Sequence, residues 1–96
     1  MIAWILYDIS DNKARSRAAK CCKQAGLYRV QLSVFLGSLE PSEFDALSIQ
    51  LEDCIDPEHD RVYLFPMSKH ELQQTILLGQ AFDKKLVSDE VHALFF

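Results

Sequence analysis

Residues 1–10, MIAWILYDIS, decide the fold of this chain. The apolar run from Ile2 to Tyr7, rich in β-branched and aromatic residues, is too short to cross a membrane and predicts a fully buried central strand. The run stops at Asp8, and aspartate is depleted in strands and costly to bury without a partner. We therefore expect Asp8 at the end of the strand, where water, a helix N-terminus or a metal ion reaches its carboxylate. Asp8 is the leading candidate for a functional residue.

Size and composition limit the classes of protein that this chain can represent. Its 96 residues, 49 % hydrophobic and 25 % charged with three glycines and three prolines, predict one globular domain over residues 1–96 without a linker. The apolar runs are shorter than the roughly 18 residues of a membrane span, and the first segment lacks the basic start and the cleavage site of a signal peptide. We therefore expect a cytoplasmic protein without a membrane partner. The three cysteines form no C-x-x-C motif and are expected as reduced core thiols.

The net charge of −4 conceals a segregation of charge along the chain. Residues 12–39 contain six Lys and Arg and no acid, whereas residues 40–60 contain eight Asp and Glu and no Lys or Arg. The negative overall charge argues against a protein whose whole surface binds nucleic acid non-specifically. The asymmetry nevertheless predicts one face that can meet phosphates and another that cannot.

Apolar periodicity and helix-boundary residues predict the remaining elements. After the first strand, Asp11 is placed to cap a helix that Gly26 ends. Residues 27–39 carry strand formers over a length that favours two strands joined by a tight turn. Pro41 begins a second amphipathic helix, and residues 61–67 form a further strand. This order predicts an α+β, ferredoxin-like βαββαβ sandwich with both helices on one face of the sheet.

The C-terminal part of the sequence predicts a contact with a second copy of the chain. Residues 68–71 match a capping box, so a short helical turn is expected after the fourth strand. Residues 86–96 are too apolar to remain in water, and an additional C-terminal strand after a complete four-stranded unit favours pairing with another subunit. We expect a homodimer whose core lies in residues 1–78 and whose pairing tail lies in residues 79–96.

Four segments together are similar to a known family. They are YDIS at residues 7–10, Gly26-Leu27 at the end of a basic helix, RVQLSVFLGSL at residues 29–39 and RVYLFPM at residues 61–67. In the order and spacing of these segments, residues 1–78 resemble the small CRISPR-associated endonucleases of the adaptation module, which partner the Cas integrase during spacer acquisition. The tail is similar only in being strand-like.

The resemblance implies a ferredoxin-like homodimer in which an aspartate at the end of the first strand, here Asp8, binds a divalent metal such as Mg²⁺ or Mn²⁺. Because Mg²⁺ commonly takes only one or two protein carboxylates, two Asp8 side chains across a twofold axis would suffice to hold a catalytic ion. The alternative is that Asp8 accepts hydrogen bonds from the following turn. Ser10 and Asp11 could add ligands, but a turn explains Ser10 and a helix cap explains Asp11 more simply.

Arginines of the basic segment are the candidate nucleic-acid contacts. Arg15, Arg17 and Arg29 can bind phosphate, because the fork of the guanidinium favours arginine over lysine, although each alone is typical of a solvated charge. The three histidines form no spacing motif and are expected at the surface rather than as general bases.

The residues leave several functions open. The first is a metal-dependent endonuclease that hydrolyses phosphodiester bonds of RNA or double-stranded DNA. The second is a non-catalytic dimeric adaptor that holds the Cas integrase on prespacer DNA, which a single candidate carboxylate favours. A toxin ribonuclease resembling the VapD group is a third. A regulatory dimer that binds a small molecule is the least favoured of the four functions, because it would not need the basic segment.

Overall fold

The computed structural model describes residues 1–84, and these form a four-stranded antiparallel sheet and three helices. In chain order the elements are β1 (Ile2–Asp8), α1 (Asn12–Gln24), β2 (Tyr28–Gln31), β3 (Val34–Ser38), α2 (Pro41–Cys54), β4 (Arg61–Met67) and α3 (Lys69–Gln74). The strands lie in the order β2-β3-β1-β4, with every neighbouring pair antiparallel. The predicted ferredoxin-like βαββαβ order is therefore confirmed. The additional strand predicted in residues 86–96 lies outside the described residues.

The first two helices begin and end at the residues that the sequence indicates. The Asp11 carboxylate accepts a hydrogen bond from the Ala14 N–H at 2.9 Å, which satisfies one of the free donors at the start of α1. Gly26 follows α1 with a φ of +91°, a conformation that glycine adopts without the strain a side chain would add. Pro41 occupies the first position of α2. The predicted helix boundaries are confirmed.

One face of the sheet is covered by both long helices. Small buried side chains line the inner side of α1 (Ala14, Ala18, Ala19 and Cys22), which lets the helix approach the sheet closely. They join buried side chains from the sheet and from α2, which are Ala3, Ile5, Tyr7, Phe35, Leu47 and Leu51. Tyr7 and Phe35 stack with their ring centroids 6.3 Å apart, and both belong to the buried core.

The other face of β1 is only partly covered, and this corrects the prediction of a strand buried on both sides. Trp4 and Leu6 point to this second face and are half-buried. Leu72 of α3 and the following Phe82 cover the end near Ile2, while the middle of the face lacks a covering helix within residues 1–84. Successive side chains of a strand alternate between faces, and both helices pack on one of them, so an unbroken apolar run does not prove burial on both.

The hairpin between β2 and β3 ends next to the Asp8 end of β1. Its turn is formed by Leu32 and Ser33, and Ser33 has a φ of +64°. The Tyr7 N–H donates a hydrogen bond to the Ser33 carbonyl oxygen at 3.0 Å. The turn therefore lies against the last residues of β1, close to the predicted site.

No helix within residues 1–84 is long and apolar enough to cross a bilayer.

Candidate nucleic-acid and metal site

Asp8 is the exposed last residue of β1. It lies two residues after Leu6 and therefore points to the same, partly open face of the sheet. In the register of the sheet it lies opposite Arg61, the first residue of β4. Within residues 1–84 the Asp8 carboxylate forms no hydrogen bond or ion pair, so its oxygens are available to a ligand. The predicted position of Asp8 at an exposed strand end is confirmed, and its binding of a metal stays a prediction.

The chain immediately after Asp8 is held by a contact that the sequence did not predict. Ile9 is buried, with 2 % of its surface exposed. The Ser10 N–H and hydroxyl both donate hydrogen bonds to Asp60 Oδ1, each at 3.1 Å. Ser10 was expected only to fit a turn, and its partner lies 50 residues further along the chain. Asp60 belongs to the acidic segment of residues 40–60, and no local signal in the sequence assigns it a role.

Asp60 belongs to a loop that is tied by its own carboxylates. Asp60 Oδ2 accepts a hydrogen bond from the Asp56 N–H at 2.9 Å, and Asp56 Oδ1 accepts one from the Glu58 N–H at 3.0 Å. These N–H groups are the main reason that the pKa values of Asp60 and Asp56 lie below the usual range. His59 is exposed, as predicted, and its Nδ1 lies 2.8 Å from Asp56 Oδ2. The loop between α2 and β4 is therefore a turn whose hydrogen bonds favour the ionised form of both carboxylates.

The residues of one chain fit a hard divalent cation with a single protein ligand. Within residues 1–84 no group of three His, Cys, Asp or Glu side chains is arranged to hold a metal. Mg²⁺ does not require such a cage, because it keeps several waters and binds through one or two carboxylates together with substrate phosphate. An exposed and unpaired carboxylate such as Asp8 meets that requirement, whereas Zn²⁺ typically takes three or four protein ligands.

A groove of about 760 Å³ runs along α1 beside the β2–β3 hairpin, and we call it the basic groove. Its lining residues are Tyr7, Asn12, Arg15, Ser16, Ala19, Lys20, Lys23, Gln24, Arg29, Leu32 and Ser33. Four of them are cations and none is an acid. Because the groove includes Tyr7 and the hairpin turn, it extends to the same end of the sheet as Asp8. Its charge and position suit the phosphate backbone of a nucleic acid.

The structure brings two of the three predicted arginines into this groove. The Arg29 guanidinium lies 5.1 Å from the centroid of the Phe35 ring, a cation–π contact that orients it. Arg15 Nη1 donates to the Ile9 carbonyl oxygen at 3.3 Å, and Arg15 Nη2 donates to the Asn12 side-chain oxygen. Arg17 does not line the groove. It follows Arg15 by two residues, which on a helix is a rotation of about 200°.

Two lysines complete the groove and were missed as site residues. Lys20 and Lys23 were included in the basic segment, but the preference for arginine at phosphate contacts excluded them from the candidates. A helical projection places Lys23 about 80° and Lys20 about 140° from Arg15, so Lys23 lies between the other two cations around the helix. The projection by itself does not set these three apart, because Arg17 lies only about 60° beyond Lys20, and the position of the hairpin decides which cations line the groove.

The cysteines are free thiols, as predicted, and are not part of this site. Burial raises the pKa of the Cys22 thiol to about 12. Burial, and next the neighbouring Cys54, raises the pKa of Cys21. A raised pKa lowers the fraction of reactive thiolate, so neither Cys21 nor Cys22 is activated as a nucleophile.

Comparisons with known proteins agree with the fold. The family model described as CRISPR associated protein Cas2 matches residues 1–75 of this chain. The chain therefore belongs to the Cas2 family. The match includes every strand of the sheet, Asp8 and all the cations of the basic groove.

Individual relatives cover most of the chain. It is 36 % identical over 79 residues to a protein of Archaeoglobus fulgidus named CRISPR-associated endoribonuclease Cas2 1, covering 82 % of this chain and 84 % of that protein. A protein of Chloroflexus aurantiacus named CRISPR-associated endoribonuclease Cas2 3 is 38 % identical, with the same coverage of both chains. The crystal structure of Streptococcus pyogenes Cas2 has a TM-score of 0.71 and 30 % identity, covering 82 % of this chain and 100 % of that one.

Proposed function

We propose that this Cas2-family chain is an endonuclease of CRISPR-Cas adaptive immunity that hydrolyses phosphodiester bonds of RNA or double-stranded DNA with a divalent cation at Asp8. The observation that carries the proposal is the pairing of an exposed, unpartnered carboxylate with a groove of four cations at one end of the sheet. The relatives in Archaeoglobus fulgidus and Chloroflexus aurantiacus are named endoribonucleases, which supports the same reaction class here.

The residues divide the work of hydrolysis between binding and chemistry. Arg15, Lys20, Lys23 and Arg29 hold the phosphate backbone, and the ring of Phe35 keeps the Arg29 guanidinium in a fixed orientation. Asp8 lies at the same end of the sheet as the groove but points to the open face, and its anionic oxygen would hold the cation there. When bound, Mg²⁺ would neutralise charge on the attacked phosphate and lower the pKa of a bound water.

We propose further that the working form is a homodimer that meets through the partly open face of the sheet. Tyr63 and Phe65 of β4 are 52 % and 48 % exposed, and they stack with their ring centroids 6.3 Å apart. Trp4 and Leu6 lie opposite Phe65 and Tyr63 in the register and continue this apolar surface. Because Asp8 points to the same face, pairing two copies here brings their carboxylates toward a shared seam, where both can bind one ion.

A cleavage assay tests the nuclease. RNA and duplex DNA are incubated with and without Mg²⁺, and the wild type is compared with Asp8→Ala. Asp45→Ala is the matched control, because Asp45 is an exposed carboxylate of α2 remote in sequence from the site. We expect Mg²⁺-dependent cleavage that is lost in Asp8→Ala and retained in Asp45→Ala. Equal background in the wild type and Asp8→Ala would contradict the proposal.

The second candidate is a non-catalytic cytoplasmic adaptor that holds prespacer DNA for the Cas integrase. It is favoured because Asp8 is the single candidate metal ligand and no group of three possible ligands occurs within residues 1–84, so hydrolysis would depend on assembly with a second chain. The same variants separate the two functions. An adaptor binds duplex DNA equally well in the wild type and Asp8→Ala, without cleavage in either.

A further inference from the structure

The loop before β4 is tied to the chain on both sides of the Asp8–Arg61 pair. Asp60 directly precedes Arg61, which lies opposite Asp8 in the sheet. Through one carboxylate oxygen, Asp60 also accepts two hydrogen bonds from Ser10, two residues after Asp8. Its second oxygen accepts the Asp56 N–H, and its own N–H donates to the Asp56 carbonyl oxygen at 2.8 Å. Asp60 therefore joins the chain after β1, which it binds through Ser10, to the turn before β4, which it binds through Asp56.

The orientation of Asp8 depends on its backbone. Its side chain makes no hydrogen bond or ion pair within residues 1–84, so no neighbour fixes the carboxylate directly. The strand pairing with β4 holds the chain up to Asp8, and the buried Ile9 holds the next residue. After that the chain leaves the sheet, and Ser10 is exposed apart from its contact with Asp60. Without that contact, the segment between Ile9 and the start of α1 would lose its tie to β4.

We propose that Asp60 is a positioning residue that sets the direction of the Asp8 carboxylate through Ser10. The inference rests on the proposed function of Asp8 as a metal ligand. Supporting partners of this kind typically change metal affinity or activity by about 10-fold to 100-fold when removed, because a ligand held loosely spends less time in the productive geometry. Asp60 touches neither the groove nor its cations, so it acts on the chemical step and not on nucleic-acid binding.

The test compares Asp60→Ala with the conservative Asp60→Asn and with His59→Ala. In Asp60→Asn the amide oxygen still accepts both hydrogen bonds from Ser10. His59→Ala removes a contact inside the same loop that does not involve Ser10. Cleavage kinetics give kcat and KM, and a Mg²⁺ titration followed by the amide resonances of Asp8 and Ile9 gives metal affinity without any activity. Amide hydrogen exchange at Ser10 reports the contact itself.

We expect Asp60→Ala to lower kcat by about tenfold or more, to leave KM within about twofold, and to raise the half-saturating Mg²⁺ concentration by about tenfold. Ser10 exchange should accelerate, and Asp60→Asn and His59→Ala should stay near the wild type. The proposal is overturned if Asp60→Ala keeps the wild-type Mg²⁺ response, or if His59→Ala matches its loss. If the wild type cleaves nothing, the nuclease function fails separately, and the Mg²⁺ titration alone decides the role of Asp60.

Discussion

Neutralising one lysine of the basic groove should change the salt dependence of nucleic-acid binding by a predictable amount. The groove presents four cations, and four neutralised phosphates give a slope of log K against log[salt] of about −3.6 for a duplex or about −2.8 for a single strand. Between 50 and 200 mM salt, the affinity of one groove should therefore fall by about 150-fold for a duplex and by about 50-fold for a single strand. The substitution Lys20→Gln removes one of the four charges.

The expected slope for Lys20→Gln is about three quarters of the wild-type value. This ratio is independent of whether one groove or both grooves of a dimer engage the same nucleic acid. Fluorescence anisotropy of a labelled duplex and a labelled single-stranded RNA, measured in EDTA to prevent cleavage, provides the slopes. Lys13→Gln is the matched control, because Lys13 is an exposed lysine of α1 that does not line the groove. An unchanged slope in Lys20→Gln, or an equally flattened slope in Lys13→Gln, would show that the groove is not the phosphate-binding surface.

Three further predictions concern the fold, the loop and the thiols. Gly37→Ala should lower the free energy of unfolding in urea by about 1–3 kcal/mol, because an added Cβ would lie 2.8 Å from Leu27 Cδ2 and 3.2 Å from Leu27 Cα. Unchanged stability would contradict this close approach. Two backbone N–H groups lower the pKa of Asp60 in the folded protein below its ordinary value of 3.8. The ionised Asp60 carboxylate therefore stabilises the folded state fully above about pH 5, and this contribution is lost as the pH falls through the lowered pKa. The Tm difference between the wild type and Asp60→Asn should therefore shrink in acid, and a constant difference from pH 7 to pH 3 would be inconsistent with this linkage. A thiol-reactive disulfide reagent should label the half-buried Cys21 before Cys22, because Cys22 is fully buried and has a pKa of about 12. Mass spectrometry of the labelled peptides gives the order, and faster labelling of Cys22 would contradict the prediction.

The order of the elements followed from local signals. Asp11 and Pro41 are residues with strong positional preferences at helix starts, and Gly26 adopts the positive φ that follows α1. Such preferences depend on a few neighbouring residues, so a single sequence is enough to read them. The exposed position of Asp8 followed in the same way, because a carboxylate cannot continue a buried apolar run without a partner.

The site required contacts between distant parts of the chain. Ser10 and Asp60 are separated by 50 residues, and neither residue type indicates the other. The basic groove joins α1 with Arg29 of β2, and the rotation of α1 excludes Arg17 from it. Helical geometry could have separated Arg15 from Arg17, but the sequence offered no way to know which side of α1 the hairpin would occupy.

By itself, the sequence determined the order of strands and helices and the residue at which the first strand ends, since hydrophobic periodicity and capping act over a few residues. Tertiary structure decided which face of β1 the helices leave open, which cations share a groove and which carboxylate holds Ser10. Those features depend on how elements pack, and packing is set by the complementarity of whole surfaces, which no short stretch of residues encodes.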